Sequence, residues 1–266
     1  MPSIQSRKFI FMEFKNPNRN IISNLVDPID QSIFTECILS GNFGTIEVDD
    51  CNDPQIALLS FADVIIPVGD VRHSRVTDLI NTIPPGKGII AKNPLWKEKI
   101  LDVLSNKIVN LERYSFSNEN LNPKALHQMK STLPEKFLIK RIDKNLAEKL
   151  TIEPPPLTRD HIFNFGTIER FLGIGFGYCI LQGNEIVSAA STYAVSNSGI
   201  EIQVNTTESN RGNGLAGVVS ASLILESIDR ELVPHWDAAN TTSARLAERL
   251  GFTPAGSYEM IVRTKP

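Results

Sequence analysis

The most informative stretch of this chain is Arg211-Gly212-Asn213-Gly214-Leu215-Ala216. It follows an alternating run, 200–206, that predicts a strand, and it opens an apolar run with helical spacing that continues to Ile228. A strand that turns through glycines into a helix presents free backbone N–H groups at a helix N-terminus, an arrangement that favours anions. Gly212 and Gly214 lack a Cβ, so the backbone can approach a bulky phosphate. The segment therefore predicts a site for a phosphorylated ligand, with a plain strand–turn–helix connection as the alternative.

The same residues exclude two familiar phosphate-binding motifs. No Lys-Ser or Lys-Thr pair follows Gly214, so the loop is not a Walker A sequence. A third glycine and a surrounding strand–helix–strand unit are both missing, which excludes a dinucleotide fingerprint. The loop alone therefore leaves the identity of the ligand open.

The composition is that of an ordinary globular chain. Its 266 residues suffice for one large or two modest domains, and a hydrophobic fraction of 41% allows a proper core. A net charge of −3 provides no basic face for nucleic acid. There is no run of about 18 apolar residues to span a membrane, and residues 1–15 do not resemble a secretory signal. We expect a cytoplasmic protein that binds neither nucleic acid nor membrane.

The residues that most often bind metals are too scattered to predict a metal site. Cys37, Cys51 and Cys179 lack the number and spacing of a disulfide framework or a zinc site, so we expect free thiols in a reducing compartment. Asp49-Asp50 and Asp70 lack the spacing of a calcium loop, and turn or capping roles are the simpler interpretation.

Two breaks in composition divide the chain. Residues 117–134 are polar, and Glu153-Pro154-Pro155-Pro156 is a stiff spacer that no helix can cross. We place the domain boundary between 125 and 135, which predicts an N-terminal domain at 1–130 and a C-terminal domain at 131–266.

The N-terminal domain is predicted to be mixed α/β. Alternating or buried apolar runs predict strands, and runs with helical spacing predict helices. The predicted strands are 44–48, 64–68, 88–91 and 107–116, and the predicted helices are 54–61, 76–83 and 96–104. None of these segments carries a catalytic pattern.

The C-terminal domain is predicted to be an antiparallel meander followed by two strand–helix passes. A helix or strand at 137–150 and a helix at 158–171 precede the meander, whose strands are 173–181, 185–194 and 200–206. The glycine loop and its helix follow, then a short strand at 235–238. A helix at 240–250 ends at Gly251, the residue type typical of the C′ position, and 252–262 predicts a further strand.

Two motifs in this domain together resemble a known family. Arg211-x-x-Gly214-x-Ala216 is similar to the Q/R-x-x-G-x-G/A acyl-CoA loop of the GNAT N-acetyltransferases, and 240–252 resembles their second hallmark, a helix opened by Asn and ended by Leu-Gly-Phe. The resemblance covers about 137–262. It implies an α+β or mixed α/β protein with a GNAT fold in its C-terminal half. That fold has a mostly antiparallel central sheet with a splayed strand pair and flanking helices.

A narrower resemblance involves both halves. Trp236-Asp237-Ala238-Ala239-Asn240 and 246–251 are similar to two-part bacterial GNAT proteins of the zwittermicin A resistance acetyltransferase group, and 44–50, 68–70 and 113–116 also fit that group. The N-terminal half then has three possible roles: one wall of the acceptor cleft, a degenerate copy of the same fold, or a dimerisation module.

The resemblance implies a site for acetyl-CoA. Backbone N–H groups at the start of the helix face the pyrophosphate, and the strand before the loop pairs with the pantetheine arm as an added strand would. Asn240 bonds the pantetheine, with a helix N-cap as the alternative. The implied donor residues are Val204, Asn205, Thr206, Arg211, Gly212, Asn213, Gly214, Leu215, Ala216, Gly217, Asn240 and Ser243.

The catalytic groups are less well specified than the donor site. Glu201 is the first candidate for the base and His235 the second, against the simpler interpretations of a solvated strand Glu and a surface His. Many relatives have a Tyr after the Leu of the second motif to protonate the leaving thiolate, but here Ala247 follows Leu246. Tyr258, or else Tyr193, Ser243 or water, must then serve, unless activity is weak or absent.

The leading hypothesis is an acetyl-CoA-dependent N-acetyltransferase that acts on a primary amine of a small molecule by direct attack in a ternary complex. The alternative is an acyl-CoA-binding sensor or interaction protein with a decayed catalytic centre. A third hypothesis is a phosphate-binding module of another kind. We expect a monomer or homodimer, a small cationic acceptor, and no metal.

Overall fold

The computed structural model describes residues 11–15, 19–152, 157 and 160–265. The chain forms two compact units, Met1–Leu111 with Met260–Pro266, and Glu112–Glu259. The units therefore divide earlier than the expected boundary at 130/131, because a strand and a helix before residue 131 pack within the second unit. The functional division at 130/131 stays a prediction, and the expected spacer 153–156 lies outside the described residues.

The first unit is an antiparallel meander with helices between its remaining strands. Its strands and helices, in chain order, are β1 (Met12–Glu13), α1 (Asn20–Ser23), α2 (Ile33–Leu39), β2 (Thr45–Val48), β3 (Ile56–Phe61), β4 (Val64–Gly69), α3 (Val76–Thr82), β5 (Gly88–Ile89), α4 (Pro94–Leu104) and the start of β6 (Ile108–Ser117). Strands β1 to β4 pair antiparallel in sequence order, and β5 pairs parallel with β4. Apolar residues of β3, α3 and α4 form its core around the buried Trp96.

The second unit contains the glycine loop. Its strands and helices are the end of β6, α5 (Pro123–Lys130), β7 (Leu138–Arg141), α6 (Lys144–Ile152), α7 (Asp160–Phe163), α8 (Ile168–Ile174), β8 (Gly177–Gln182), β9 (Glu185–Val195), β10 (Gly199–Thr206), α9 (Leu215–Asp229), β11 (Val233–His235), β12 (Asp237–Ala238), α10 (Thr241–Leu250) and most of β13 (Thr253–Arg263). The sheet order is β11-β10-β9-β8-β7. The buried helix α9 packs against β8, β9 and β10, and α5 and α10 pack against α9.

The two units repeat one order of elements. Each begins with a short strand and helices, continues with a three-stranded antiparallel meander, and then passes through a helix to a strand that is parallel to the last meander strand. A further helix and a final strand follow in both. The corresponding segments are β1 to β6 in the first unit and β7 to β13 in the second.

The predicted fold class, a mixed α/β protein with mostly antiparallel sheets flanked by helices, is confirmed. Most of the predicted strands and helices are also present. The predicted helix at 54–61 is wrong, because Ile56–Phe61 is strand β3. Its residues are almost all buried between β2 and β4, and a short apolar run of this kind does not distinguish a helix from a buried strand by its periodicity.

Three other segments differ in detail from the prediction. The expected strand at 173–181 begins only at Gly177, because Gly173 and Ile174 belong to α8. The expected helix at 158–171 is divided into α7 and α8 by a turn at Gly166, whose φ is +81°, and residues 158 and 159 lie outside the described part. The expected strand at 235–238 is two strands, because Trp236 separates β11 from β12 and the two have different partners. Among the described helices, none is both long and apolar enough to cross a membrane.

Candidate active site

Strands β10 and β11 separate before the C-terminal end of β10, the strand that leads into the glycine loop. They run parallel from Gly199 and Val233 as far as Glu201 and His235. The chain then leaves β10, and β12 pairs with β6 instead. Within the described residues, 202–206 therefore has a strand neighbour on the β9 side alone. Ile202 is buried and 203–206 are half-buried. Such an open strand edge offers N–H and C=O groups to an extended ligand.

A bulge in β9 lies at the same level. Ala194 pairs with Glu201 and Thr192 pairs with Ile202, which leaves Tyr193 as an extra residue in β9. Bulges of this kind increase the local twist of a strand pair. The bulge therefore lies at the residue where β10 parts from β11, a geometry that the alternating sequence did not predict.

The glycine loop forms a cradle of backbone N–H groups. Gly212 and Gly214 have φ values of +81° and +76°, a left-handed region that glycine adopts without strain. Gly214 is the N-cap residue of α9 and makes no side-chain cap bond. In the described structure, the backbone N–H groups of 212–217 donate to no protein acceptor. The loop thus has the backbone geometry that favours an anion, and its role as a binding site stays a prediction.

The flanks of the cradle have different environments. Arg211 is exposed, and its Nη1 lies 3.9 Å from Oε1 of exposed Glu208, a solvated pair of little energetic weight. Gly217 is buried, and a Cβ there would come within 3.0 Å of the Met129 sulfur on α5. Gly217 therefore allows α5 to pack closely on the first turn of α9.

The second motif forms the start of α10. Oδ1 of Asn240 accepts a hydrogen bond from the Ser243 N–H at 2.9 Å, which is the N-cap alternative raised from the sequence. The Ser243 hydroxyl accepts from Nε1 of buried Trp236 at 3.1 Å. Ala247 is fully buried in the core. This helix therefore presents no hydroxyl at the position where many relatives have a tyrosine.

Four side chains form a cluster beside the open edge of β10. Oε1 of Glu201 accepts from the backbone N–H of Asp237 at 3.0 Å. Nε of Arg113 donates to Oδ1 of Asp237 at 2.6 Å, and Nη2 lies 2.5 Å from the same oxygen. The hydroxyl of Tyr258 donates to Oδ2 of Asp237 at 2.5 Å. Asp237 thus joins two of the predicted catalytic residues, Glu201 and Tyr258.

Burial controls the protonation of this cluster. Burial, and then the Asp237 carboxylate, raises the pKa of Glu201 to about 8, although the Asp237 N–H and Arg113 act in the opposite direction. Burial and the Asp237 charge also raise the pKa of Tyr258. Burial disfavours the Arg113 cation, but Asp237 outweighs that effect and the pKa of Arg113 is raised. At neutral pH the cluster therefore contains a mostly neutral Glu201 and a neutral Tyr258.

His235 lies beside Glu201 on the neighbouring strand. The two residues are direct partners in the parallel β10–β11 ladder. The half-buried His235 ring covers Gly199, where a Cβ would lie 3.1 Å from the imidazole. Both candidate bases are thus brought together at the point where β10 and β11 separate.

Sequence reasoning missed two features of this unit. It assigned no role to Arg113, which pairs with Asp237 across 124 residues of sequence. It also missed His161, which is fully buried on α7 with Nδ1 2.7 Å from Oγ of Ser191. Burial lowers the pKa of His161 to about 4, so this ring is neutral at pH 7. Neither residue stands in a local pattern that would have marked it.

The described residues also include no group of three or more His, Cys, Asp or Glu side chains arranged to hold a metal ion. None of the three cysteines, two of which are buried, forms a disulfide.

Comparison with known proteins defines the class. A family model described as GNAT acetyltransferase matches residues 23–261. The crystal structure of a GCN5-related N-acetyltransferase-like protein from Streptococcus suis 89/1591 is 33% identical with a TM-score of 0.82, and the match covers 92% of this chain and 98% of that one.

Two further relatives are more distant. An uncharacterized N-acetyltransferase of Bacillus subtilis strain 168, YdfB, is 26% identical over 172 residues, which is 64% of this chain and 63% of YdfB. The chain thus matches less than two thirds of that relative's length. A tandem GNAT protein from the clavulanic acid biosynthesis pathway, in a structure without acetyl-CoA, shares the fold with a TM-score of 0.59 at 9% identity, over 97% of this chain and 99% of its own.

The fold and these matches place the protein among acyl-group transferases. The chain belongs to the GNAT acetyltransferase family. The matched range, 23–261, includes most of the first unit and so extends well beyond the segment 137–262 on which the two motifs were found.

Proposed function

We propose that this protein is an acetyl-CoA-dependent N-acetyltransferase that moves the acetyl group to a primary amine of a small molecule by direct attack in a ternary complex. One observation supports this most strongly. The open edge of β10 connects the N–H cradle at 212–217 to the cluster around Glu201. A single extended thioester fits both ends of that edge, since one end favours a pyrophosphate and the other supplies groups that exchange protons.

The donor site uses mainly backbone. The N–H groups of 212–217 would hold the pyrophosphate, with Arg211 as a flexible cation at its rim. The backbone of 204–206 would pair with the pantetheine arm. Asn240 and Ser243 stand at the start of α10, where the amide and hydroxyl supply further hydrogen bonds. When bound, the thioester supplies the acetyl group, and a backbone N–H near Val204 would polarise its carbonyl oxygen.

Glu201 is the proposed base. The amine nitrogen attacks the thioester carbonyl carbon, the C–S bond breaks, and the proton released by the amine passes to the carboxylate. With a pKa of about 8, roughly a tenth of Glu201 is ionised at pH 7, so the reaction should accelerate toward alkaline pH. His235, its partner on β11, is the second candidate.

Tyr258 is the proposed acid. Its hydroxyl donates to Asp237 and its pKa is raised, so it retains a proton at any physiological pH. It would protonate the leaving thiolate in place of the tyrosine that Ala247 replaces. A thiol with a pKa of about 8.5 is also a tolerable leaving group, so the acid contributes only part of the rate.

The acceptor is proposed to be a small cationic molecule, and the chain is proposed to belong with the two-part bacterial proteins of the zwittermicin A resistance acetyltransferase group. The negative net charge of the chain favours a cationic acceptor. Cysteines that form no disulfide suit a reducing, cytoplasmic setting. We also propose that the protein acts as a monomer or homodimer and needs no metal ion.

A second function, an acyl-CoA-binding sensor without turnover, rests on one observation. Ala247 is buried where relatives have a catalytic tyrosine, so the usual proton donor is missing. The cradle and the open edge of β10 would then serve binding alone.

Calorimetry followed by a turnover assay tests these proposals. We expect acetyl-CoA, and not ATP, to release heat on binding, and we expect thiol release in a panel of primary amines. Absence of acetyl-CoA binding at millimolar concentration would refute both functions. Binding without thiol release from any amine would favour the sensor, and release with one amine would exclude it.

A further inference from the structure

We propose that Arg113 and Asp237 are positioning residues of the transfer reaction, which hold Glu201 and Tyr258 in one hydrogen-bonded unit and balance the charge around them. This inference rests on the proposed function for its catalytic meaning. Its structural basis is the geometry of the second unit.

Asp237 makes contacts in three directions. Its N–H donates to Glu201 on β10, Oδ1 accepts from Arg113 on β6, and Oδ2 accepts from Tyr258 on β13. Because both carboxylate oxygens are engaged, the side chain cannot rotate without losing a contact. Asp237 therefore fixes the candidate base through its backbone and the candidate acid through its side chain.

The strand pairing explains how Arg113 reaches this position. Asp237 is the direct partner of Ser115 in the antiparallel β12–β6 pair. Arg113 lies two residues from Ser115, on the same face of β6, which is the diagonal distance that a long side chain spans. Nη2 of Arg113 also lies 3.4 Å from the Asp237 carbonyl oxygen. The guanidinium therefore holds both the backbone and the side chain of Asp237.

The charges of this cluster do not balance if every group is ionised. Two carboxylates, Glu201 and Asp237, share a single guanidinium, and all three are largely buried. Two further titratable groups are near: Tyr258 interacts electrostatically with Glu201, and His235 is its direct ladder partner on β11. Burial makes an unpaired negative charge costly, so one carboxylate keeps a proton. Asp237 has the ion pair, and Glu201 keeps the proton.

Removing the negative charge of Asp237 and removing the positive charge of Arg113 should therefore shift the pKa of Glu201 in opposite directions. Asp237→Asn removes a negative neighbour and should lower the pKa of Glu201 by about one pH unit or more. Arg113→Gln removes the positive neighbour and should raise it. Arg113→Lys keeps the positive charge and should leave the pKa of Glu201 close to its wild-type value. A purely structural role would reduce activity in these variants without an ordered shift.

The experiment combines two readouts on folded protein, with each fold verified by circular dichroism. The carboxyl carbon of Glu201 is titrated by NMR in 13C-glutamate-labelled protein and assigned with Glu201→Gln, and the pH profile of kcat/KM is measured in parallel. Arg141→Gln is the matched control, because Arg141 forms a comparable ion pair with Glu226 at 2.9 Å outside this cluster.

The two readouts separate the two proposals. Opposite shifts of the Glu201 pKa in Asp237→Asn and Arg113→Gln, with no shift in the control, support the positioning role of Arg113 and Asp237. Shifts in the same direction, or none, overturn it. If the NMR shifts occur but no variant and no wild-type protein transfers acetyl groups, the proposed function fails while the charge coupling stands. If Asp237→Asn or Arg113→Gln prevents folding, the variant that does fold is compared with Arg113→Lys. The direction in which it shifts the pKa of Glu201 then tests the proposal.

Discussion

Nε of Arg113 and Oδ1 of Asp237 are 2.6 Å apart, although 124 residues separate them in the chain. The ion pair lies where β12 meets β6, next to the residue at which β10 loses its parallel neighbour. It connects the open strand edge to Tyr258. The pair thus joins the region predicted to hold the donor with the residues predicted to move protons.

Replacement of Tyr258 should affect turnover more than binding. Tyr258→Phe removes the hydroxyl that donates to Asp237 and that we assign to thiolate protonation. We expect kcat to fall by about 10-fold, less than the usual general-acid effect of about 100-fold or more, because the thiolate leaves readily. The KM for acetyl-CoA should change little. Tyr193→Phe tests the alternative acid named from the sequence, and a fall in that variant equal to or larger than the fall in Tyr258→Phe would contradict the assignment.

Glu201→Gln should lower kcat and leave acetyl-CoA binding intact. The neutral amide keeps the shape of the mostly protonated carboxyl but cannot accept the amine proton. In the wild type, kcat/KM should rise with pH up to about 8, the pKa of the group, and this limb should disappear in the variant. An unchanged rate and profile would transfer the role of base to His235.

The same substitution should change how stability depends on pH. The folded state holds the Glu201 proton more tightly than the unfolded chain does, since the pKa is raised from 4.5 to about 8. Its contribution is therefore complete below about pH 4.5 and is lost as the pH rises to about 8. Across this window wild-type stability should fall relative to Glu201→Gln by up to about 1.4 kcal/mol per pH unit. Urea unfolding at several pH values measures this, and parallel curves would contradict it.

Gly214→Ala should weaken acetyl-CoA binding by about 10-fold or more, the equivalent of about 1.4 kcal/mol. A methyl group there meets no described protein atom within 4 Å, so the pyrophosphate is what it would obstruct. Gly166→Ala is a matched control, because Gly166 has a similar φ of +81° and equally open surroundings outside the loop. Similar backbone strain is expected in both. Equal affinities by calorimetry would show that the cradle does not bind the donor.

The chain should bind one acetyl-CoA, in the second unit. The first unit has the same order of elements, but its equivalent strand end is already occupied. Gly69 at the end of β4 accepts from Nε1 of Trp96 and donates to Leu25, both at 3.0 Å. The segment 70–75 that leads to α3 contains no glycine. Calorimetry should give one site per chain, and two sites would show that the first unit also holds a donor.

Some elements were predictable because their signals are local. The strand 200–206, the glycine loop and the helix opened by Asn240 each follow from residues near one another in the chain, and all are present. The strand β3 was mistaken for a helix, because its run of buried apolar residues has no clear period. A degenerate copy of the same fold was one of three roles considered for the N-terminal half, but the residues did not select it, since the repeat is an order of elements and not of residues.

Residues close together in the chain predicted the fold class, the glycine turn into α9 and the candidates Glu201, His235 and Tyr258, because backbone geometry and side-chain type depend on local order. Three other features follow from tertiary contacts: β10 and β11 part after Glu201, Asp237 lies between Glu201 and Tyr258, and Arg113 completes the cluster. The protonation of Glu201 also depends on the fold. It follows from burial and from charges that are distant in sequence, and neither is encoded by the residue alone.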